Sequence, residues 1–217
     1  MTSKLMQIDK ITVKRGGQTV LRHLSLSVNP GERVVIRGVN GAGKTTLLRA
    51  CLGLLPLESG RIKFHGIEVG SREWLNMKRT AAWVPQERVL HNFPVSCREV
   101  VAVGLAGYKI KRRKIKEAVD SALRAVGVQH LADCSFHRVS GGERQKVSLA
   151  RCIVQGADIL LLDEPTSSLD GDSRLRLVTL TEQLSRSGRA VVVVTHEQSL
   201  FPPEHWREYN LAGGILC

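Results

Sequence analysis

The chain has 217 residues, 42% of them hydrophobic and only 4% aromatic, with a net charge of +12. That length suits one well-buried domain with a subdomain inserted, not two ordinary domains, and the basic balance points to polyanionic neighbours without choosing among them. No run of about 18 apolar residues is present and the start MTSKLMQIDK lacks the apolar core of a secretory signal, so a soluble or peripheral chain is expected. Five cysteines (Cys51, Cys97, Cys134, Cys152 and Cys217) without a C-x-x-C pair disfavour a zinc site or disulfide framework and suit a reducing compartment.

In chain order, residues 6–13 read as a strand, Gly16-Gly17 as a turn, and 24–28 as a half-buried strand in strict apolar-polar alternation, together an antiparallel flap. The Asn29-Pro30-Gly31 turn then precedes a β-branched strand at 34–36. Residues 38–46, GVNGAGKTT, follow with the spacing G-x-x-x-x-G-K-[ST], and Leu47, Leu48, Cys51 and Leu52 recur at helical spacing behind them. A strand, a glycine-rich loop and a helix start form a phosphate cradle. Gly38, Gly41 and Gly43 let the backbone curl so that successive N–H groups of the loop, with Asn40 and Ala42 among the binding positions, turn inward, and the helix dipole adds positive potential. Lys44 is placed to reach β and γ phosphates, Thr45 to hold Mg²⁺, and Thr46 to donate to phosphate. The loop therefore predicts a nucleoside triphosphate site.

Short strands are expected at 61–64, 67–69 and 80–84, the last ending at Pro85. From 96 to 155 the pattern is helical: Ser96-Cys97-Arg98-Glu99 is a capping box, and Ile115, Val119, Ala122, Leu123 and Val126 make one apolar stripe ending at Gly127. Lys109, Lys111, Arg112, Arg113, Lys114 and Lys116 form the densest basic stretch, read as a solvated loop and first turn or as a contact with lipid head groups. Nucleic acid is disfavoured, since no aromatics interleave with these charges. Ser140-Gly141-Gly142-Glu143 opens another helix as an S-x-x-E capping box and a second anion-binding helix start.

The apolar strand 159–162 ends in Asp163-Glu164, two carboxylates at the carboxyl end of a buried strand, where open α/β sheets bind ligands. Asp163 suits the Mg²⁺ shell, and Glu164 can polarise the water that attacks the γ-phosphate. A helix over 175–184, a strand over 190–194 and a closing hairpin near 209–216 complete the chain.

The phosphate loop, Gln86, Ser140-Gly141-Gly142, Asp163-Glu164, Ser168-Leu169-Asp170 and Thr195-His196 stand in one order along the sequence. That order resembles the nucleotide-binding subunit of an ATP-binding-cassette (ABC) transporter over essentially the whole chain. The resemblance implies an α/β P-loop fold with a mostly parallel sheet, an N-terminal antiparallel β flap and an inserted α-helical subdomain. It implies a single domain, with 1–86 and 156–217 as the catalytic core and 87–155 as the subdomain bearing the signature motif. It also implies ATP and Mg²⁺ as cofactors, with Thr45, Gln86 and Asp163 around the metal and Glu164, His196 and Gln86 in catalysis. Two copies would pair head to tail, Ser140, Gly141 and Gly142 meeting the γ-phosphate bound by the partner and Asp170 bridging the protomers.

Three departures from the family pattern stand out. Val139 and Glu143 replace the flanking residues of Leu-Ser-Gly-Gly-Gln, and a carboxylate aimed at a triphosphate would repel it, so Glu143 is expected to turn back and cap its own helix. Val13-Lys14-Arg15 offers no aromatic to stack on adenine, leaving the Arg15 guanidinium as the substitute. Ser167-Ser168 stands where relatives carry Ser-Ala.

The succession Phe93-Pro94-Val95 before Glu99-Val100-Val101 is similar to bacterial metal and metal-chelate importers. It implies docking of a membrane permease near residues 86–104, with Phe93 and Val95 in the contact, an extracytoplasmic binding protein in the same system, and a peripheral location on the cytoplasmic face of the membrane. Zinc or manganese import is the expected task. Siderophore or cobalamin import, an exporter, or a soluble cassette acting on nucleic acid or ribosomes are the alternatives. The separation of Lys44 from Ser140 lacks the coiled coil expected of the soluble class.

Overall fold

The computed structural model describes residues 4–86 and 94–217. β1 (Met6–Arg15) and β2 (Gln18–Val28) pair antiparallel as the flap hairpin, β2 starting earlier than its alternation indicates. Ile8 and Ile11 are both buried although an odd spacing should send them to opposite faces. A register shift between them, where Ile8 faces Leu26 and Ile11 faces Leu24, absorbs one residue, and Lys10 takes φ 45. The bulge keeps both isoleucines in the core.

The chain continues through β3 (Arg33–Arg37), α1 (Lys44–Cys51), β4 (Ser59–Phe64), β5 (Ile67–Glu68), α2 (Trp74–Met77) and β6 (Ala81–Val84). Next come α3 (Cys97–Ala102), α4 (Arg112–Ala125), α5 (Gly141–Gln155), β7 (Ile159–Asp163), α6 (Gly171–Arg186), β8 (Ala190–Thr195), β9 (Arg207–Ala212) and β10 (Ile215–Leu216). One sheet is the antiparallel flap in the order β2-β1-β4-β5; the other has six strands in the order β10-β9-β3-β8-β7-β6. Every pair in the second sheet is parallel except β9 with β10. α3, α4 and α5 all fall between β6 and β7 in sequence.

Several details differ from the sequence reading: β4 begins two residues earlier, β5 ends at Glu68, and α6 extends beyond 175–184 at both ends. Thr80 lies in a 3₁₀ turn, and β6 begins one residue later. The single-turn α2, too short to show helical periodicity, places Trp74 on Phe64 with ring centroids 5.1 Å apart. The closing hairpin also does more than close: β9 joins the main sheet beside β3.

Every residue of β7 and β8 is buried. Alternate residues serve two cores. Val34, Ile36, Leu161 and Val192 face α1 and the flap, while Val35, Leu160, Leu162 and Val193 face the helices inserted before β7. Burial on both faces is why these strands read as unbroken apolar runs, at about 1.5–3 kcal/mol for each fully buried aliphatic side chain. Among the described residues no helix is long and apolar enough to cross a membrane.

Candidate nucleotide-binding site

The parallel register aligns the carboxyl ends of β3, β8 and β7: Arg37 faces Thr195, and Val194 faces Asp163. Each functional segment begins where one of these strands stops, as expected at the open end of an α/β sheet. The phosphate loop leaves β3, Asp163-Glu164 closes β7, His196 follows β8, and Gln86 lies two residues beyond β6. The helix α1 starts at Lys44 as expected, with Gly43 as its left-handed N-cap at φ 105. A Cβ at Gly43 would sit 3.0 Å from Leu21 Cδ2 of the flap, so the loop needs glycine there for both conformation and space.

Lys44 is buried. Its Nζ donates to the carbonyls of Gly38 (2.7 Å) and Val39 (3.2 Å) and lies 3.1 Å from Glu164 Oε1, an ion contact without hydrogen-bond alignment. The Thr45 hydroxyl donates to Asp163 Oδ1 at 3.1 Å. Burial raises the Asp163 pKa, opposed first by the Thr45 hydrogen bond and raised further by the charge of Glu164. Asp163 Oδ2 is buried with no hydrogen-bond partner among the described residues. An orphaned, desolvated carboxylate oxygen beside a threonine hydroxyl is a donor set that fits a hard divalent cation.

Glu164 is held from all sides. Its φ of 48 is in the left-handed region, fixed by its N–H donating to the Val194 carbonyl at 2.9 Å. Its carbonyl accepts from Ser167 Oγ (3.1 Å) and Gln145 Nε2 (3.4 Å). Its Oε2 accepts from Thr195 Oγ1 (3.1 Å) and the His196 N–H (3.3 Å), and lies 3.0 Å from His196 Nδ1. Strain of this kind costs about 1–3 kcal/mol and persists only where the surroundings over-determine it. Thr195 and Gln145 are supports that sequence reasoning assigned no role; each lay beside a named motif, but nothing in the pattern tells a supporting hydroxyl or amide from a core one.

A cleft of about 480 Å³ over the loop is lined by Asn40, Gly41, Gly43, Lys44, Thr45, Thr46, Gln86 and Glu164, with Arg15, Gln18 and Val20 from the flap. Ser140, Gly141 and Gly142 do not line it. They begin α5, where Ser140 Oγ accepts from the Glu143 N–H and Glu143 Oε2 accepts from the Ser140 N–H at 2.7 Å, so Glu143 caps its own helix as expected. These bonds, the backbone one first, lower the Glu143 pKa. A Cβ at Gly142 would meet the Ser168 carbonyl at 2.8 Å, which brings the start of α5 against the segment leading to Asp170. Asp170 caps α6, accepting from the Ser173 N–H at 2.7 Å.

Loop, buried lysine, carboxylate pair and cleft define a P-loop nucleotide-binding protein. The profile of the ABC transporter family matches residues 21–167, and the chain belongs to that family. It is similar to the hemin import ATP-binding protein HmuV of Shewanella denitrificans, with 36% identity over 199 residues, 89% of this chain and 78% of that protein. The manganese transport system ATP-binding protein MntB of Bacillus subtilis is 34% identical over 197 residues, 88% of this chain and 77% of that one. The structure of cbiO1 from Clostridium perfringens, part of the transporter complex cbiONQ, matches with a TM-score of 0.85 at 26% identity, covering 99% of this chain and 87% of that chain. The chain is an ATP-binding, ATP-hydrolysing subunit of an ABC transporter.

Proposed function

We propose that this subunit powers bacterial import of a metal ion or metal chelate, hydrolysing Mg²⁺-bound ATP at the loop of residues 38–46. The observation that carries the catalytic reading is Glu164, buried, left-handed and tied to both Lys44 and His196. Water attacks the γ-phosphorus, Glu164 takes its proton, and the bond to the β-phosphate oxygen breaks to release ADP. Lys44 and the loop N–H groups stabilise charge on the phosphates, while Gln86 and His196 orient the water and the γ-phosphate. Thr45, Asp163 and Gln86 would hold Mg²⁺, which would supply charge neutralisation for the triphosphate. Arg15 replaces the adenine-stacking aromatic, consistent with its place in the cleft wall.

Two copies complete each site. Ser140, Gly141 and Gly142 lie outside the cleft lining of their own chain, so an outward helix start serves the nucleotide of a second copy, with Asp170 at the seam. Residues 87–155 act as a subdomain, and the permease docks near 86–104 on the cytoplasmic membrane face, alongside an extracytoplasmic binding protein. Of that segment, 87–93, including Phe93, lie outside the described residues; Val95 packs against the helical core. Hemin and manganese in the names of similar proteins support the cargo class.

The test is phosphate release by the purified chain together with uptake in cells. Lys44→Ala should abolish ATP binding and uptake, and Glu164→Gln should retain binding but lose turnover. Uptake of zinc, manganese and hemin unaffected by Lys44→Ala would overturn the proposal.

A further inference from the structure

An apolar cavity among the described residues is separate from the nucleotide cleft. It lies on the opposite face of the six-stranded sheet from α1, where the end of α4, α5 and α6 meet β6 and β7, and holds about 380 Å³. That is within the range of small-molecule sites. Val126, Leu149, Leu162 and Leu180 supply apolar wall. Arg124, Lys146 and Arg176 also line it, and no aspartate or glutamate does. None of these three cations makes an ion pair among the described residues. Glu143 acts through space on Lys146, and Asp170 on Lys146 and Arg176.

A buried polar side chain connects this cavity to Glu164. Gln145 lines the cavity and is 5% exposed. Its Nε2 is committed to the Glu164 carbonyl, and on the other side of the amide Oε1 has no hydrogen-bond partner among the described residues. Leaving a buried acceptor unpaired costs about 1–3 kcal/mol, so this amide is held in place at a cost and is sensitive to packing from the cavity side.

We propose that this cavity binds a small amphipathic anion, with an apolar ring or short acyl body against Val126, Leu149, Leu162 and Leu180 and one acidic group for Arg124, Lys146 and Arg176. Gln145 lines this cavity and donates to Glu164, which lines the nucleotide cleft, so an occupant that reorients its amide moves the carbonyl of Glu164. The binding half stands without any role for Glu164; the effect on turnover rests on the catalytic reading above.

The probe is 1-anilinonaphthalene-8-sulfonate, which carries an aromatic body, one N–H and one sulfonate. It is titrated by fluorescence into the full chain with saturating Mg²⁺-ATP present. One saturable site is expected, weakened about tenfold or more when Arg124→Glu and Arg176→Glu are combined, the loss of a charge-assisted contact. Leu180→Trp, which fills the cavity, should remove it. Unchanged affinity in the charge-reversed chain, or displacement of the dye by ATP, overturns the site; because both arginines are exposed, that variant remains informative if Leu180→Trp misfolds. Lys44→Ala should still bind the dye, which separates this site from the nucleotide reading. The dye should change wild-type ATP turnover at least about twofold and leave the charge-reversed variant unaffected; dye binding without that change overturns the link to Glu164.

Discussion

The ammonium of Lys44 and the carboxylate of Glu164 meet at 3.1 Å, with only 7% and 5% of the two side chains exposed. This contact ties the phosphate loop after β3 to the carboxyl end of β7, across the intervening β8. Phosphate and carboxylate therefore compete for one cation in a desolvated place, where charge interactions are strong.

Glu164→Gln removes one competitor and also the proposed proton acceptor. ATP affinity should rise about tenfold, equivalent to about 1.4 kcal/mol, while turnover falls about 100- to 1000-fold. Equilibrium dialysis and phosphate release measure the two separately. Weakened ATP binding would show that the carboxylate supports the loop more than it opposes phosphate.

Asp163 is 1% exposed and carries an orphaned Oδ2. Asp163→Asn removes a buried charge whose desolvation outweighs the Thr45 and Gln86 hydrogen bonds and the attraction of Lys44, so the chain without nucleotide or metal should gain about 1 kcal/mol, or about 2–4 °C in Tm. The same variant should lose the further stabilisation that Mg²⁺-ATP gives the wild type. Thermal melts with and without Mg²⁺-ATP decide both; a lower Tm in the unliganded variant would mean that Asp163 is already fully compensated.

All five cysteines are free thiols, three of them buried. Burial pushes the Cys51 thiol up to about 12, and the thiols of Cys97 and Cys152 up to about 11. Thiolate is the reactive form, so iodoacetamide near neutral pH should label Cys134 and Cys217 in the folded chain, and the other three only after denaturation. Mass spectrometry of timed samples reads this directly, and early labelling of Cys51 would contradict the packing around α1.

Glu143→Gln should leave ATP turnover within about twofold of wild type, because glutamine also serves at the third position of a capping box. The lowered Glu143 pKa makes its contribution to stability full above the ordinary carboxylate range and lost as pH falls through the lowered value. Glutamine should flatten that acid-side loss in a pH series of melts. A large gain in turnover instead would show that the carboxylate had been repelling phosphate.

The strands legible in the sequence were those with one requirement. β7 and β8 are buried on both faces and so read as pure apolar runs, and the capping boxes at Ser96 and Ser140 each form with both reciprocal bonds. The illegible parts answer to partners distant in sequence. The bulge at Lys10 depends on the register against β2, α2 on Trp74 finding Phe64, and the place of β9 on the free edge of β3.

The sequence alone determined that a phosphate loop, a carboxylate pair and a second helix start occur in the order of an ABC cassette, because each is a local pattern of backbone freedom and charge. Only tertiary structure decided that Glu164 is strained, that Gln145 buttresses it, and that Ser140 lies outside its own chain's cleft lining. Those facts come from the parallel register of β3, β8 and β7 and from which atoms burial leaves without partners, and no local pattern encodes either.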